Sequence, residues 1–318
     1  GLIEEGPEFQ LKCNGMWAFC LWDNKFKKAV LGRDRFGVKP LYYSLFKDNS
    51  LIFASEMKAL TPFLESIKPC ENINEHLENL FDYEYTDSCV VKGIKRILPG
   101  HYAIYEDKKF KEFEYWNTMD NINFDNDPYK YQVEKWRELF LDSVKLRMRS
   151  DVKIGSTLSG GLDSSSVVSA MKYLDSNSDF IQKNCSETFC SSYENSSIDE
   201  TMWAKKLSNY LTIDFNKVII NPKNFKNNII DTLATVEDPY ISLPHPMLET
   251  YSFIRNKSIK VSIDGHGSDE LFIGYGHIKK LITNSKTFSE FKELLSINES
   301  TKSGVYSTKQ KNLKRNWL

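Results

Sequence analysis

The chain has 318 residues, about twice a usual single-domain length, so two domains and a sizeable core are expected. Lys plus Arg (42) against Asp plus Glu (43) leaves a formal charge of -1, so no global positive field argues for nucleic acid or an anionic membrane, and no apolar run approaches a membrane span. At 41% hydrophobic, 27% charged and 13% aromatic, the composition suits a soluble globular protein rather than a disordered or fibrous one.

Cys13, Cys20, Cys70, Cys89, Cys185 and Cys190 stand at irregular spacings without a CxxC pair, and GLIEEGPEFQ has no basic-then-apolar signal pattern. Reduced thiols in a cytoplasmic protein are the expectation. The scattered His76, His101, His245, His266 and His277 match no metal-ligand spacing, which argues against structural zinc.

In chain order, Leu2 to Pro7 reads as the last turn of a helix closed by Gly6. Short β-rich runs follow: WAFCLWD, KKAVLGRD, PLYYSLF, LIFAS, then HYAIY and FKEFEYW around Glu106-Asp107, an antiparallel hairpin pattern. The polar stretch Asn117 to Pro128 separates two textures, with Asp127 expected as an N-cap and Pro128 at the first helical position. Val133, Trp136, Phe140, Val144 and Met148 then recur at three- and four-residue steps, as one buried helix face would.

From Val152 strands and helices alternate: KIGSTL, SSVVSAMKYL, ETFC, ETMWAKKLSNYL, FNKVII, helices through Ile229 and Leu248, then KVSID. Such alternation implies a parallel sheet covered on both faces, with ligands at the carboxyl ends of the strands. At the far end KQKNLKRNWL, with Lys309, Lys311, Lys314, Arg315, Trp317 and Leu318, resembles the opening of a basic amphipathic helix. With Gly at residue 1, this reads as a piece of a longer protein.

The sharpest signal is Leu158-Ser159-Gly160-Gly161-Leu162-Asp163-Ser164-Ser165, between an expected strand and an expected helix. Two glycines permit a tight turn with exposed N–H groups, and the helix N-terminus adds positive potential, so an anion is favoured there. No Lys completes a Walker-type loop, and Asp163 beside phosphates makes sense if it holds a Mg²⁺ that bridges to them. Spacing alone fits a plain capped strand–helix turn equally well.

The string SGGLDSS resembles the pyrophosphate loop of ligases of the ATP-pyrophosphatase type, and nearly the whole chain, up to about Tyr275, is similar to the glutamine-hydrolysing asparagine synthetase family; His277 to Leu318 has no matching string. Gly15 to Phe19, Gly32 to Tyr42 and Ala54 to Leu60 resemble the second half of that family's glutaminase domain; Leu98 to Tyr102 with Tyr115-Trp116 match its closing hairpin. Ser262 to Tyr275, containing SIDGHGSDELF, resembles its second nucleotide loop. The resemblance implies an α/β architecture: residues 1–118 as part of a class II glutamine amidotransferase domain of the N-terminal-nucleophile, antiparallel β type, and residues 127–318 as a Rossmann-like ATP-pyrophosphatase domain of the adenine nucleotide alpha hydrolase kind, truncated at its C-terminal end. It also implies ATP and Mg²⁺, with Leu158 at the adenosine, Ser159, Gly160, Gly161, Asp163 and Ser164 around the pyrophosphate, Ser191 framing the adenine, Asp264 and Gly265 on the nucleotide, and Asp163 and Asp269 as metal-facing acids.

The implied reaction adenylates a carboxylate, aspartate first, releases pyrophosphate and amidates the acyl group with glutamine-derived ammonia. Glutamine, ATP and the carboxylate would be the partners, nucleic acid and membrane would not, and a homodimer stays open for the intact protein. The family's N-terminal Cys nucleophile has no counterpart in this sequence; Cys13 and Cys20 are expected as buried core thiols. His266 stands where the family usually carries Glu, as a base or a loop spacer, which moves the choice of carboxylate into doubt. Asp269 and Glu270 also fit as helix N-terminal acids, and Glu237 fits either a substrate-facing acid or a solvated helix end. Two other readings remain: a relative acting on a saccharide or peptide carboxylate, and a nucleotide-binding scaffold without turnover.

Overall fold

A computed structural model describes residues 1–272 except Asn79, residues 124–125, 178–184 and 240–243, together with residues 287 and 290. The last part of the second loop string (273–275), His277 and the basic stretch 309–318 lie outside the described residues. The chain forms two compact units. The first comprises Gly1–Asn123, Leu233–Ile241 and Thr287–Leu318, the second Phe124–Thr232 and Ser242–Lys286.

The first unit opens with a short helix α1 (Leu2–Glu5) closed by Gly6. Strands β1 (Ala18–Asp23), β2 (Lys28–Arg33), β6 (His101–Glu106) and β7 (Lys109–Glu114) make an antiparallel sheet in the order β1-β2-β6-β7. Strands β3 (Tyr42–Leu45), β4 (Leu51–Ala54) and β5 (Lys95–Arg96) make a second sheet, ordered β4-β3-β5. The β6–β7 hairpin turns on Asp107 and Lys108 at φ 48° and 59°, the paired left-handed conformation whose twist suits a two-residue hairpin. Ala29, Leu31, Leu41, Tyr43, Ile97 and Ala103 form the core between these strands, with Phe110 stacked on Tyr43 at 4.5 Å. Cys20 packs on this core but is only half-buried, as is Cys13, which corrects the expectation of buried thiols at both; among the described residues the fully buried thiols are Cys89 and Cys190.

The polar string after β2 is structural. Asp34 is buried and its carboxylate accepts N–H groups from Trp17, Phe36, Val38 and Lys39, while Arg33 donates to the carbonyls of Gly37, Lys39 and Ile97. A loop that would otherwise bury unpaired main-chain groups is satisfied by one acid and one guanidinium. Helices α2 (Ile73–Glu78) and α3 (Leu80–Glu84) complete the unit's own stretch of chain.

The second unit begins with α4 (Tyr129–Arg147). Its N-cap is Pro128 rather than Asp127, because the Pro128 carbonyl accepts the first helical N–H groups, from Tyr131 and Gln132, and the helix opens one residue later than expected. Only the C-terminal half of the expected face is buried: Val144 and Met148 enter the core and Phe140 packs on it, whereas Val133 and Trp136 remain 44% and 42% exposed. The following elements are β8 (Ile154–Thr157), α5 (Leu162–Asn177), β9 (Cys185–Ser192), α6 (Thr201–Leu211), β10 (Asp214–Ile219), α7 (Pro222–Val236), α8 (Pro244–Asn256), β11 (Val261–Ser262) and α9 (Ser268–Phe272). The sheet is wholly parallel, in the order β10-β9-β8-β11. Helix α5 buries Val167, Ala170 and Met171 towards α4 and Val168 towards Leu158, Cys190 and Ala204. Phe189 and Val218 meet Ile254 and Ile259 around α8.

Residues 233–241 cross the boundary expected from the sequence, and side-chain chemistry explains it. Glu237, in the left-handed region at φ 64°, closes α7 and receives the N–H groups of Met57 and Lys58, each at 2.8 Å. Asp238 accepts the Tyr83 hydroxyl and pairs with buried Arg96 at 3.3 Å, whose guanidinium also lies over the Tyr83 ring. Burial pushes the Asp238 carboxyl up, against the opposing pull of Arg96. Removing one partner of a buried pair strands the other charge, which costs more than the pair contributes. Asp238→Ala is therefore expected to destabilise the first unit by about 3 kcal/mol, read as an earlier transition in urea unfolding. The Cys89 and Cys190 thiols are each pushed up to about 12 by burial. Both should resist iodoacetamide in the native protein at mildly alkaline pH and react on unfolding; native labelling of either would contradict its burial.

Candidate active site at the switch point of the parallel sheet

In the order β10-β9-β8-β11 the chain steps outward from β8 to β9 and β10, then returns to the other side of β8. In open parallel sheets ligands bind where the strand order reverses, here between β8 and β11 at the carboxyl ends of the strands. The string Leu158 to Ser164 leaves β8, and Ile263 to Ser268 leaves β11. The two strongest sequence motifs of this unit thus flank one crevice.

The first loop is a tight turn into α5. Gly160 has φ +89°, and a Cβ there would fall 2.5 Å from Trp203 Cβ and 2.8 Å from Ala204 N at the start of α6. Ser159 Oγ lies 2.9 Å from Ser164 Oγ and accepts the Gly161 N–H at 3.1 Å, while Ser164 Oγ accepts the Ser159 N–H at 3.2 Å. These bonds brace the turn ahead of a sixteen-residue helix, whose N-terminus favours an anion. Leu158 has 1% exposure, belongs to the core around Val168 and donates its N–H to Phe189 O, so neither its side chain nor its N–H is available to a nucleotide.

The second loop lies against the first. A Cβ on Gly265 would stand 2.7 Å from Ser164 N and 2.9 Å from Asp163 C, so only glycine admits this approach. Asp163, in the first turn of α5, and Asp269, in the first turn of α9, are half-buried, and among the described residues no hydrogen bond or ion pair engages either carboxylate. His266 is exposed in the loop between Gly265 and Gly267. Two free carboxylates beside an anion-binding turn fit Mg²⁺, which takes one or two carboxylates and completes its shell with phosphate oxygens and water. No group of three or more His, Cys, Asp or Glu suited to a metal occurs among the described residues, so the protein alone would not cage the ion.

Other expected site residues are occupied by the protein itself. The Ser191 hydroxyl lies 2.8 Å from buried Thr250 on α8, leaving its main chain for a ligand. Both Asp264 oxygens are in use: Oδ1 accepts the Thr157 N–H and the Ser262 hydroxyl, and Oδ2 the Tyr251 hydroxyl. Glu237 is held by main-chain N–H groups of the first unit. Asp199 joins the end of β9 to the start of α6, accepting from Ser192 Oγ and from Thr201, and these bonds hold its carboxyl down to about 2. Neither Asp199 nor Tyr251 is flagged by a glycine-rich motif; for Asp199 the available signal was an acid two residues ahead of a helical Thr.

Comparison with known proteins places these loops in context. The glutamine amidotransferase domain model matches residues 2–116, and the asparagine synthase model matches residues 135–318. A Methanocaldococcus jannaschii protein, provisionally named glutamine-hydrolyzing asparagine synthetase 2, is 33% identical over 82% of this chain and 50% of its own length. The amidase chyE of Penicillium rubens is 30% identical over 85% of this chain and 41% of its own, and glutamine-hydrolyzing asparagine synthetase 1 of Bacillus subtilis is 30% identical over 83% and 40%. The chain spans about half the length of these relatives, or less. With one model covering more than half of its residues, and that model's stretch containing both loops of the crevice, the chain belongs to the asparagine synthase family.

Proposed function

We propose that the parent protein is an ATP-dependent, amide-forming ligase in which this crevice binds ATP and adenylates a carboxylate. The observation that carries the reading is the pair of unengaged acids, Asp163 and Asp269, on two loops that meet at Gly265. Half-buried carboxylates beside an anion turn oppose the phosphates unless a cation lies among them.

The substrate carboxylate attacks the α-phosphorus of ATP; the bond to the β-phosphate oxygen breaks and pyrophosphate leaves. Ammonia then attacks the acyl carbon, AMP departs with the electron pair, and the amide loses a proton. The Ser159 and Ser164 hydroxyls, exchanging the bond they share in this structure, and the Gly160 N–H would hold the β- and γ-phosphates and take up charge as the pyrophosphate forms. Asp163 and Asp269 are the residues that would hold Mg²⁺, which would supply charge neutralisation at those phosphates. The chain's main contribution is to fix the α-phosphorus in line with the incoming oxygen. Ammonia would come from glutamine in the intact protein, through the amidotransferase domain to which residues 2–116 belong.

Aspartate is the leading carboxylate, supported by the names of the asparagine synthetase relatives. His266 favours a second reading, another carboxylate, because a neutral imidazole supplies a base but not the fixed negative charge of the Glu usual at that position.

Carboxylate-dependent exchange of labelled pyrophosphate into ATP, run on the full protein with aspartate and a panel of acids, tests the reaction. Exchange with aspartate supports asparagine formation, and exchange only with another acid moves the substrate. Exchange with none refutes the ligase. Asp163→Asn should cut exchange by about 100-fold without changing the melting temperature, and chelating Mg²⁺ should abolish exchange reversibly. Gly265→Ala, whose Cβ would press on the main chain at Asp163-Ser164, should weaken ATP binding by about tenfold; unchanged affinity would mean the two loops do not act as one site.

A further inference from the structure

The β8–β11 ladder is short in main-chain terms but continues through side chains. Ile263 N–H donates to Gly155 O, Ser156 Oγ donates to Ile263 O, and Thr157 N–H donates to Asp264 Oδ1 at 2.8 Å. Asp264 therefore replaces the carbonyl that a longer β11 would have offered. The same oxygen accepts the Ser262 hydroxyl at 2.6 Å, and Oδ2 accepts the Tyr251 hydroxyl at 2.6 Å.

These three donors come from β8, β11 and α8. Thr157 is the residue before Leu158, and Asp264 is the residue before Gly265. One carboxylate thus fixes the point at which both loops leave the sheet. An ionised acceptor makes shorter and stronger bonds than a neutral one, and a phenol carried on a packed helix delivers its donor with little conformational freedom to lose. Tyr251 lies on the same helix as Thr250, which holds the Ser191 hydroxyl at the end of β9. Helix α8 therefore sets the ends of β9 and β11 together, and β8 through Asp264.

We infer that Tyr251 and Asp264 are positioning residues: they set the conformation of the 158–164 turn, and with it the aim of the donors that receive the pyrophosphate portion of ATP. The identity of the ligand rests on the function proposed above; the clamp on the turn does not.

The experiment uses the 318-residue chain in wild-type form and as Tyr251→Phe, Asp264→Asn and Asp264→Ala. Amide hydrogen exchange of peptides covering 155–165, melting temperature and the Kd for Mg-ATP are measured on each. Tyr251→Phe should speed exchange in 155–165 and weaken Mg-ATP binding, each by about tenfold, while melting and exchange in β10 stay as in wild type. Asp264→Asn, whose amide oxygen still accepts from Thr157, should recover part of what Asp264→Ala loses. Unchanged exchange at 155–165 in Tyr251→Phe overturns the clamp, and faster exchange with an unchanged Kd overturns its role in binding. A wild type that binds no Mg-ATP, in this chain and in the full protein alike, sinks the ligase reading, while its exchange pattern still decides the clamp. Should Asp264→Ala fail to fold, Tyr251→Phe carries the decision.

Discussion

A carboxylate withdrawn from water must find hydrogen-bond donors or a cation, and that requirement organises both units of this chain. In the first unit, Asp34 draws four main-chain N–H groups into the loop after β2, and Glu237 and Asp238 bring in a segment from far along the chain. In the second, Asp199 ties β9 to α6 and Asp264 ties β8 to β11 and α8. Against these satisfied acids, Asp163 and Asp269 stand out because no donor among the described residues engages them. Position within the same sheet separates the two kinds. Structural acids face the framework, and the free ones sit in first helical turns at the crevice.

Much of this was legible in the sequence because its signals are local. Alternation predicted β1 to β4, β6 and β7, and the glycine-serine turn predicted the break from β8 into α5. The weak points share a cause, which is dependence on distant partners. Strand β5 has only Lys95 and Arg96, and it pairs with β3 across more than 50 residues of chain. The stretch KVSID reads as a five-residue strand, yet only Val261 and Ser262 pair as one, since the Asp264 side chain takes over from the main chain. Helix α4 shows the converse. Its periodic apolar residues predict one buried face, but among the described residues it is Phe140, Leu141, Val144 and Met148 of its C-terminal half that join the core cluster.

The site residues divide on the same line. Ser159, Gly160, Gly161, Asp163 and Ser164 announce themselves as one contiguous string, and their geometry follows from it. Asp264 also lies in a motif, but its role could not be read there, because the Tyr251 and Thr157 groups that occupy it are 13 and 107 residues away. Tyr251 in turn looks like any helical tyrosine until the parallel order places α8 beside the ends of β8 and β11.

The resulting arrangement separates rigidity from reactivity. Buried Ile154, Phe189 and Val218 fix the sheet, and α5 is locked on two sides by Val167, Val168, Ala170 and Met171. Catalysis of adenylation needs little from the protein beyond holding phosphates and oxygen in line and meeting the charge that develops, and both tasks require donors that do not move. Glycines at 160 and 265 let the two loops approach other main chain more closely than a side chain would permit, and the Asp264 carboxylate prevents that freedom from becoming disorder. In the same unit Asp199 and Asp264 are saturated by donors from the framework, so the acids left without a partner among the described residues, Asp163 and Asp269, stand in the first turns of the two helices that follow the glycine-rich loops.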